Sequence, residues 1–245
     1  MDSLELNRTI AYRGDIGKQR EEFCIRYIRR KQALIRRIQQ EIFRQIEGRG
    51  EEITCHKGCS VCCVLYIEAN IQECEAIVYY LYQNPDALFL FLQQYQEWRN
   101  RMRQSGDPFR ICENALYESR EGKQTRNGEA LLDALLLYQE LNIPCPFLHD
   151  GICMIYEVRP YVCANHYVTT PSVWCSAREW CRPLNPNQPK VYKTSTDEEI
   201  SDLSFYCQRL VKPVIRFMPA TVYEIINGSF MYLSTVTGIK GLADE

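Results

Sequence analysis

Between Lys18 and Glu47 the apolar residues Phe23, Tyr27, Leu34, Ile38, Ile42 and Ile46 recur at multiples of the helical turn, and Ile28 and Ile35 widen the stripe. That periodicity predicts one long amphipathic helix with a single buried face. Gly48 and Gly50 supply a stop signal. Arg and Lys fill much of the opposite face. Arg26, Arg29, Arg30, Lys31, Arg36 and Arg37 are diluted by Glu21, Glu22, Glu41 and Glu47, so this face is expected to be solvated rather than to bind nucleic acid.

The pattern continues in helical register. Glu68 to Gln83 reads as a helix ended by Asn84-Pro85. Pro85 suits the first turn of the next, which runs to about Arg103 with Leu88, Phe91, Leu92, Tyr95 and Trp98 on one side. Ser105-Gly106-Asp107-Pro108 marks a turn and a new start, followed by a shorter helix over Phe109–Ser119 and a polar loop over Glu121–Gly128. Glu129 to Leu141 carries Leu131, Leu132, Leu135, Leu136 and Tyr138 around most of its circumference, which predicts a helix at the centre of the bundle. Helices are again expected after Thr196-Asp197-Glu198-Glu199, with Leu203, Tyr206 and Leu210 inward, and over Ala220–Thr235. The fold class expected is mainly α: a helical bundle in one domain spanning residues 1–245, with an N-terminal helical region (1–50), a cysteine-rich core (55–166) and C-terminal helices (197–240). No internal repeat is visible.

From Asn142 to about Thr196 the regularity is lost, and seven of the chain's 11 prolines fall there. A structureless segment of this length is unusual in a compact domain unless something else organises it. Metal coordination would do so, because binding free energy can replace missing core. The cysteines make this concrete. Cys55 to Cys63 reads C-H-K-G-C-S-V-C-C, and Cys145, Cys153 and Cys163 follow about eighty residues later among prolines and turn residues. Cys59 and Cys62 can reach one ion from a single turn, and Cys55 and Cys59 can share a helical face. Cys62 and Cys63 are adjacent and point apart, so they serve two ions, or one bridges, or one is a bystander. Gly58 provides the backbone freedom that a chelating turn needs. Seven thiols exceed the four of a structural zinc site, so two ions or an iron–sulfur cluster are both compatible with the count. All three histidines fall in these windows: His56, His149 and His166. Cys175 and Cys181 are second-tier ligand candidates. Cys24, Cys74, Cys112 and Cys207 fall on predicted helices and read as core.

Composition narrows the classes. Net charge is −2 and pI about 6.0, so no general basic excess points to nucleic acid or an anionic membrane. No apolar run is long enough to span a bilayer, and no charged stretch followed by an apolar run marks a secretory signal. Thirteen cysteines without such a signal suit a cytoplasmic setting, where clustered thiols serve as metal ligands or redox groups rather than disulfides.

The first cluster, followed by C-P-F-L-H-D-G-I-C-M-I-Y-E-V-R-P-Y-V-C, resembles the YkgJ-type cysteine-cluster family, described as a zinc- or iron-chelating domain and named after its CxxCxxCC pattern. The similarity covers about Cys55 to His166. It implies that Cys55, Cys59, Cys62, Cys63, Cys145, Cys153 and Cys163 bind metal. Where that family carries Arg after the last cysteine, this chain has Ala164. Glu157 and Arg159 are expected to fix the I-Y-E-V-R-P turn through hydrogen bonds and a mutual salt bridge.

The function expected is therefore chelation of zinc or iron. An iron–sulfur enzyme is the alternative: C-x3-C-x2-C at Cys55, Cys59 and Cys62 matches the spacing of radical-SAM enzymes, and the family is similar to flagellin lysine methylases. Against that, the alternating strand–helix pattern of a βα barrel is missing. A thiol redox protein lacks its βαβ context, and a nucleic-acid zinc module lacks the charge.

Overall fold

A computed structural model describes residues 12–120, 127–175, 188–194 and 215–233. It is mainly α-helical. The first helix, α1 (Gly14–Glu47), starts four residues earlier than Lys18, the start expected from the sequence. Gly17 permits this: a Cβ there would lie 2.3 Å from the Tyr12 carbonyl carbon. Phe23, Tyr27, Leu34, Ile35, Ile38, Ile42 and Ile46 are all buried, as the period requires. Arg26, Arg29, Arg30, Arg36 and Arg37 are exposed, but Lys31 is not: it is 1% exposed, a correction to the reading of that face as wholly solvated.

Glu68–Asn70 is not helical as expected but a short strand, β1, paired antiparallel with β6 (Ile215–Phe217), with Glu68 opposite Phe217. The helix begins only at Ile71 because Asn70 caps it. The Asn70 side chain accepts from the Glu73 amide at 2.8 Å, and the Glu73 carboxylate reaches back to the Asn70 amide, a capping box that fixes the boundary. This helix, α2 (Ile71–Tyr82), is the true centre, with every residue from Ile71 to Val78 buried. It even encloses Glu73 and Glu75, which pair with Lys31 at 2.9 Å and Arg20 at 2.8 Å on α1. Buried carboxylates survive only with such partners.

Helix α3 (Pro85–Gln104) starts on Pro85, and Leu88, Phe91, Tyr95, Trp98 and Met102 face inward. Asp107, at φ +54°, leads into α4 (Pro108–Arg120), and Arg99 holds its carboxylate with two bonds of 2.6 and 2.7 Å. The expected central helix, α5 (Asn127–Glu140), instead packs on α4 at the edge. Only Ala134 and Tyr138 of its described side chains are buried, while Leu132 is 57% exposed. Its leucines favour helix formation whichever side they face, so near all-round apolarity did not report depth. The closing helix α7 (Met218–Leu233) packs on α2. Phe217 beside it gathers Trp98, Tyr66, Phe109 and Tyr138 into one aromatic cluster, at ring separations of 4.7–5.9 Å.

The described parts of the irregular segment hold only fragments: β2 (Leu148–His149) with β3 (Ile152–Cys153), 3₁₀ turns over Tyr156–Val158 and Ser172–Cys175, a four-residue helix α6 (Tyr161–Ala164), and β4 (Tyr167–Val168) with β5 (Val191–Tyr192). The helix expected after Thr196, Cys181, Cys207 and the 121–126 part of the polar loop lie outside the described residues. No described helix is long and apolar enough to cross a membrane.

Candidate functional site

Residues 51–63 form a strap laid against residues 167–170 and 190–192. The Thr54 amide and hydroxyl both donate to the Val168 carbonyl at 2.9 Å, and the hydroxyl also reaches the Thr170 carbonyl at 2.7 Å. Glu51 accepts from Thr169, Lys190 and Tyr192. These three donors hold its carboxyl down to about 2, the Lys190 bond being the largest cause. Gly58, at φ +96°, turns the chain back, and a 3₁₀ turn over Val61–Val64 follows.

The second cysteine run meets this strap directly. The Cys145 amide donates to the Cys63 carbonyl at 2.7 Å, joining the two motifs backbone to backbone. Phe147, two residues on, lies flat on Phe91 of α3, with centroids 4.1 Å apart and planes 2° from parallel. Asp150-Gly151, both at positive φ, then reverses the chain so that Cys153 returns opposite Leu148. Cys163 sits on α6, which follows Pro160. The Tyr161 amide at the start of α6 is held by Glu73 Oε1 at 2.9 Å.

The outcome is one cavity of about 370 Å³ lined by all seven cysteines that the spacing singles out: Cys55, Cys59, Cys62, Cys63, Cys145, Cys153 and Cys163. His56 and His166 line it too. His149 does not: it stands on the hairpin, exposed, against Gln94 at 3.1 Å and Asp150 at 3.4 Å. Cys24, Cys74 and Cys112 are fully buried in the helical core, as their periodicity predicts. Cys175, 5% exposed, lies on a 3₁₀ turn packed against Val61–Val64, and its thiol is pushed up to about 12 by burial and then by Cys55, Cys62 and Cys59. It adjoins the cluster without lining the cavity.

Burial first, and then the neighbouring thiols, set the ionisation of most of these cysteines. Adjacent Cys62 and Cys63 titrate as a pair: Cys63 holds the Cys62 thiol below its ordinary range, while Cys62, together with burial, drives Cys63 up. Burial raises Cys55, Cys153 and Cys163 and takes Cys145 to about 12, and neighbouring thiols add to each shift. Thiols that resist ionisation because of burial and of each other are in the situation that a bound cation relieves. The donor set is soft and sulfur-rich, and among the described residues no Asp or Glu lines the cavity, a set that suits zinc or an iron–sulfur centre rather than magnesium or calcium. Among the described residues no three His, Cys, Asp or Glu side chains already converge on one ion position, so a single ion would require thiols to rotate inward.

Around the thiols the cavity wall is mixed. Leu65, Ile67, Phe147, Ile155 and Met218 make an apolar part, and Tyr66 enters it with its hydroxyl donated to Glu113. Arg159 and Lys193 are cations on the wall. Arg159 donates to the Tyr156 carbonyl at 2.7 Å and lies over the Tyr156 ring at 3.8 Å. The expected Glu157–Arg159 salt bridge is replaced: exposed Glu157 faces Lys57 at 3.9 Å. Sequence spacing also gave no hint of Tyr66 or Lys193, because neither lies within a recognisable motif. Burial, with a smaller contribution from Lys193, takes His166 down to about 4, so it is neutral at physiological pH.

No family model matches the chain, and no curated protein or solved structure matches it.

Proposed function

We propose that this protein chelates zinc or iron through the cysteines of its two motifs. The observation that carries the reading is the convergence of seven thiols, from segments about eighty residues apart, around one cavity. A mononuclear site needs four donors with zinc–sulfur distances of about 2.3 Å. Seven thiols, with Cys175 behind them as an eighth, suit two ions or an iron–sulfur cluster better than one ion. Arg159 and Lys193 on the wall would offset the negative charge of a metal–thiolate centre. His56 and His166 are the histidines within reach of mixed ligation; His149 is not. The likeness to a zinc- or iron-chelating cysteine family points the same way.

The test is anaerobic purification followed by an absorption spectrum, metal analysis and acid-labile sulfide. A brown protein absorbing near ~400 nm, with iron and sulfide, marks a cluster. A colourless protein with stoichiometric zinc marks a chelating zinc module. Protein with neither metal, in which all 13 thiols titrate freely, refutes the reading.

One feature favours the enzymatic alternative. The cavity extends past the thiols into the pocket of Leu65, Tyr66, Ile67, Phe147, Ile155 and Met218, which leaves room for a substrate beside the centre. A cluster-dependent activity resembling protein-lysine methylation would use that room. Turnover of S-adenosylmethionine by reduced, cluster-loaded protein would support it; an inert cluster protein would return the reading to chelation.

A further inference from the structure

Two buried ion pairs join α1 to α2, and one of them reaches further. Arg20 and Glu75 link helix to helix. Lys31 and Glu73 do this and also grip the chain between Cys153 and Cys163. Lys31 Nζ donates to Glu73 Oε1 at 2.9 Å and to the Val158 carbonyl at 3.2 Å. Glu73 Oε1 also accepts from the Tyr161 amide at 2.9 Å, and the Lys31 ammonium lies 5.0 Å from the Tyr161 ring centre. Val158 and Tyr161 are themselves buried. Tyr161 opens α6, whose third residue is Cys163, and Val158 lies five residues after Cys153. An apolar pair at this depth would hold two helices together as well as an ion pair does. What it would not supply is directional bonds to two backbone groups of a segment that has almost no regular structure of its own.

We infer that Lys31 and Glu73 are positioning residues for the thiols of Cys153 and Cys163: they fix the backbone between the two cysteines on the helical core, so that both sulfurs face the cavity before any metal arrives. The consequence for metal affinity rests on the chelation reading. The geometric part is measurable in metal-free protein.

Lys31→Met is the primary variant. Lys31→Met/Glu73→Gln is its companion: it removes the stranded carboxylate charge that would threaten folding, while the amide oxygen still accepts from Tyr161. Arg20→Met is the matched control, since it breaks the other buried pair. In metal-free protein, alkylation of individual cysteines is followed by mass spectrometry. Both Lys31 variants are expected to label Cys153 and Cys163 about tenfold faster, with Cys59 unchanged. With zinc alone as probe, in competition with a chelator, they should bind about tenfold more weakly, the low end of the effect of outer-shell partners on metal sites. Arg20→Met should lower the melting temperature and alter neither readout. Unchanged labelling in the double variant, or the same acceleration in Arg20→Met, overturns the inference. Wild-type protein that binds no metal while the labelling rates separate as stated sinks the chelation reading and leaves the positioning role intact.

Discussion

Phe147→Ala tests how the irregular segment is held. Phe147 is 1% exposed, follows Cys145-Pro146, and stacks on Phe91 at 4.1 Å, so its ring ties the first half of the Cys145–Cys153 hairpin to α3. Its carbonyl accepts from the Met154 amide at 2.9 Å, which ties in the returning half. Truncating a buried Phe costs about 3–5 kcal/mol, and the stack contributes about 0.5–1.5 kcal/mol of that. Phe147 also lines the cavity, so the space vacated joins an existing hollow that neighbours can partly fill. We therefore expect the low end, about 3 kcal/mol, in metal-free protein. That is a large share of a typical domain stability of about 5–15 kcal/mol. The assay is urea unfolding in the presence of a chelator, reading the midpoint at constant slope. Phe91→Ala and the double variant close a cycle, in which the coupling should be about 0.5–1.5 kcal/mol. A loss under about 1 kcal/mol at unchanged slope, or zero coupling, would show that the stack does not fasten the hairpin.

Other outcomes follow from the same geometry. Cys59→Ser and Cys153→Ser should each lower metal content and melting temperature together, whereas Cys74→Ser, whose sulfur is fully buried in the helical core, should leave metal content unchanged; equal metal in all three defeats the ligand assignment. Cys175→Ser separates its roles: reduced metal content makes it a ligand, and reduced stability alone makes it core. Gly58→Ala meets no atom within 4 Å, so its cost is the strain of φ +96° alone, about 1–2 kcal/mol, and a melting temperature equal to wild type would contradict it. Arg99 holds the Asp107 carboxyl below the ordinary range. A depressed folded-state pKa gives stability that is present above the unfolded value of about 3.9 and lost as pH falls through the folded one. Asp107→Asn, which also tolerates φ +54°, should thus be less stable than wild type at pH 7, and the gap should close in strong acid. A gap independent of pH would rule out the charge as its cause.

Most helices among the described residues were legible in the chain alone, and with them the inward faces of α1 and α3. The stripe from Phe23 to Ile46 and the burial of Cys24, Cys74 and Cys112 follow from the 3.6-residue period, and the start at Pro85 from proline's fit to a first turn, both local properties of backbone geometry. The seven thiols were legible too, because clustered cysteines flanked by Gly and Pro are a local signal. Tertiary structure alone decided what meets what across the chain. It drew Lys31 out of an apparently solvated face, because Glu73, 42 residues away, offered the charge partner that makes its burial tolerable. It placed Glu68–Asn70 in a strand, because Ile215–Phe217 arrived to complete the hydrogen bonds. It left α5 at the edge although its leucines suggested the centre, turned His149 away from the cavity, and gave Glu157 to Lys57 instead of Arg159. Periodicity states which side of an element avoids water; only the folded chain states which partner covers it.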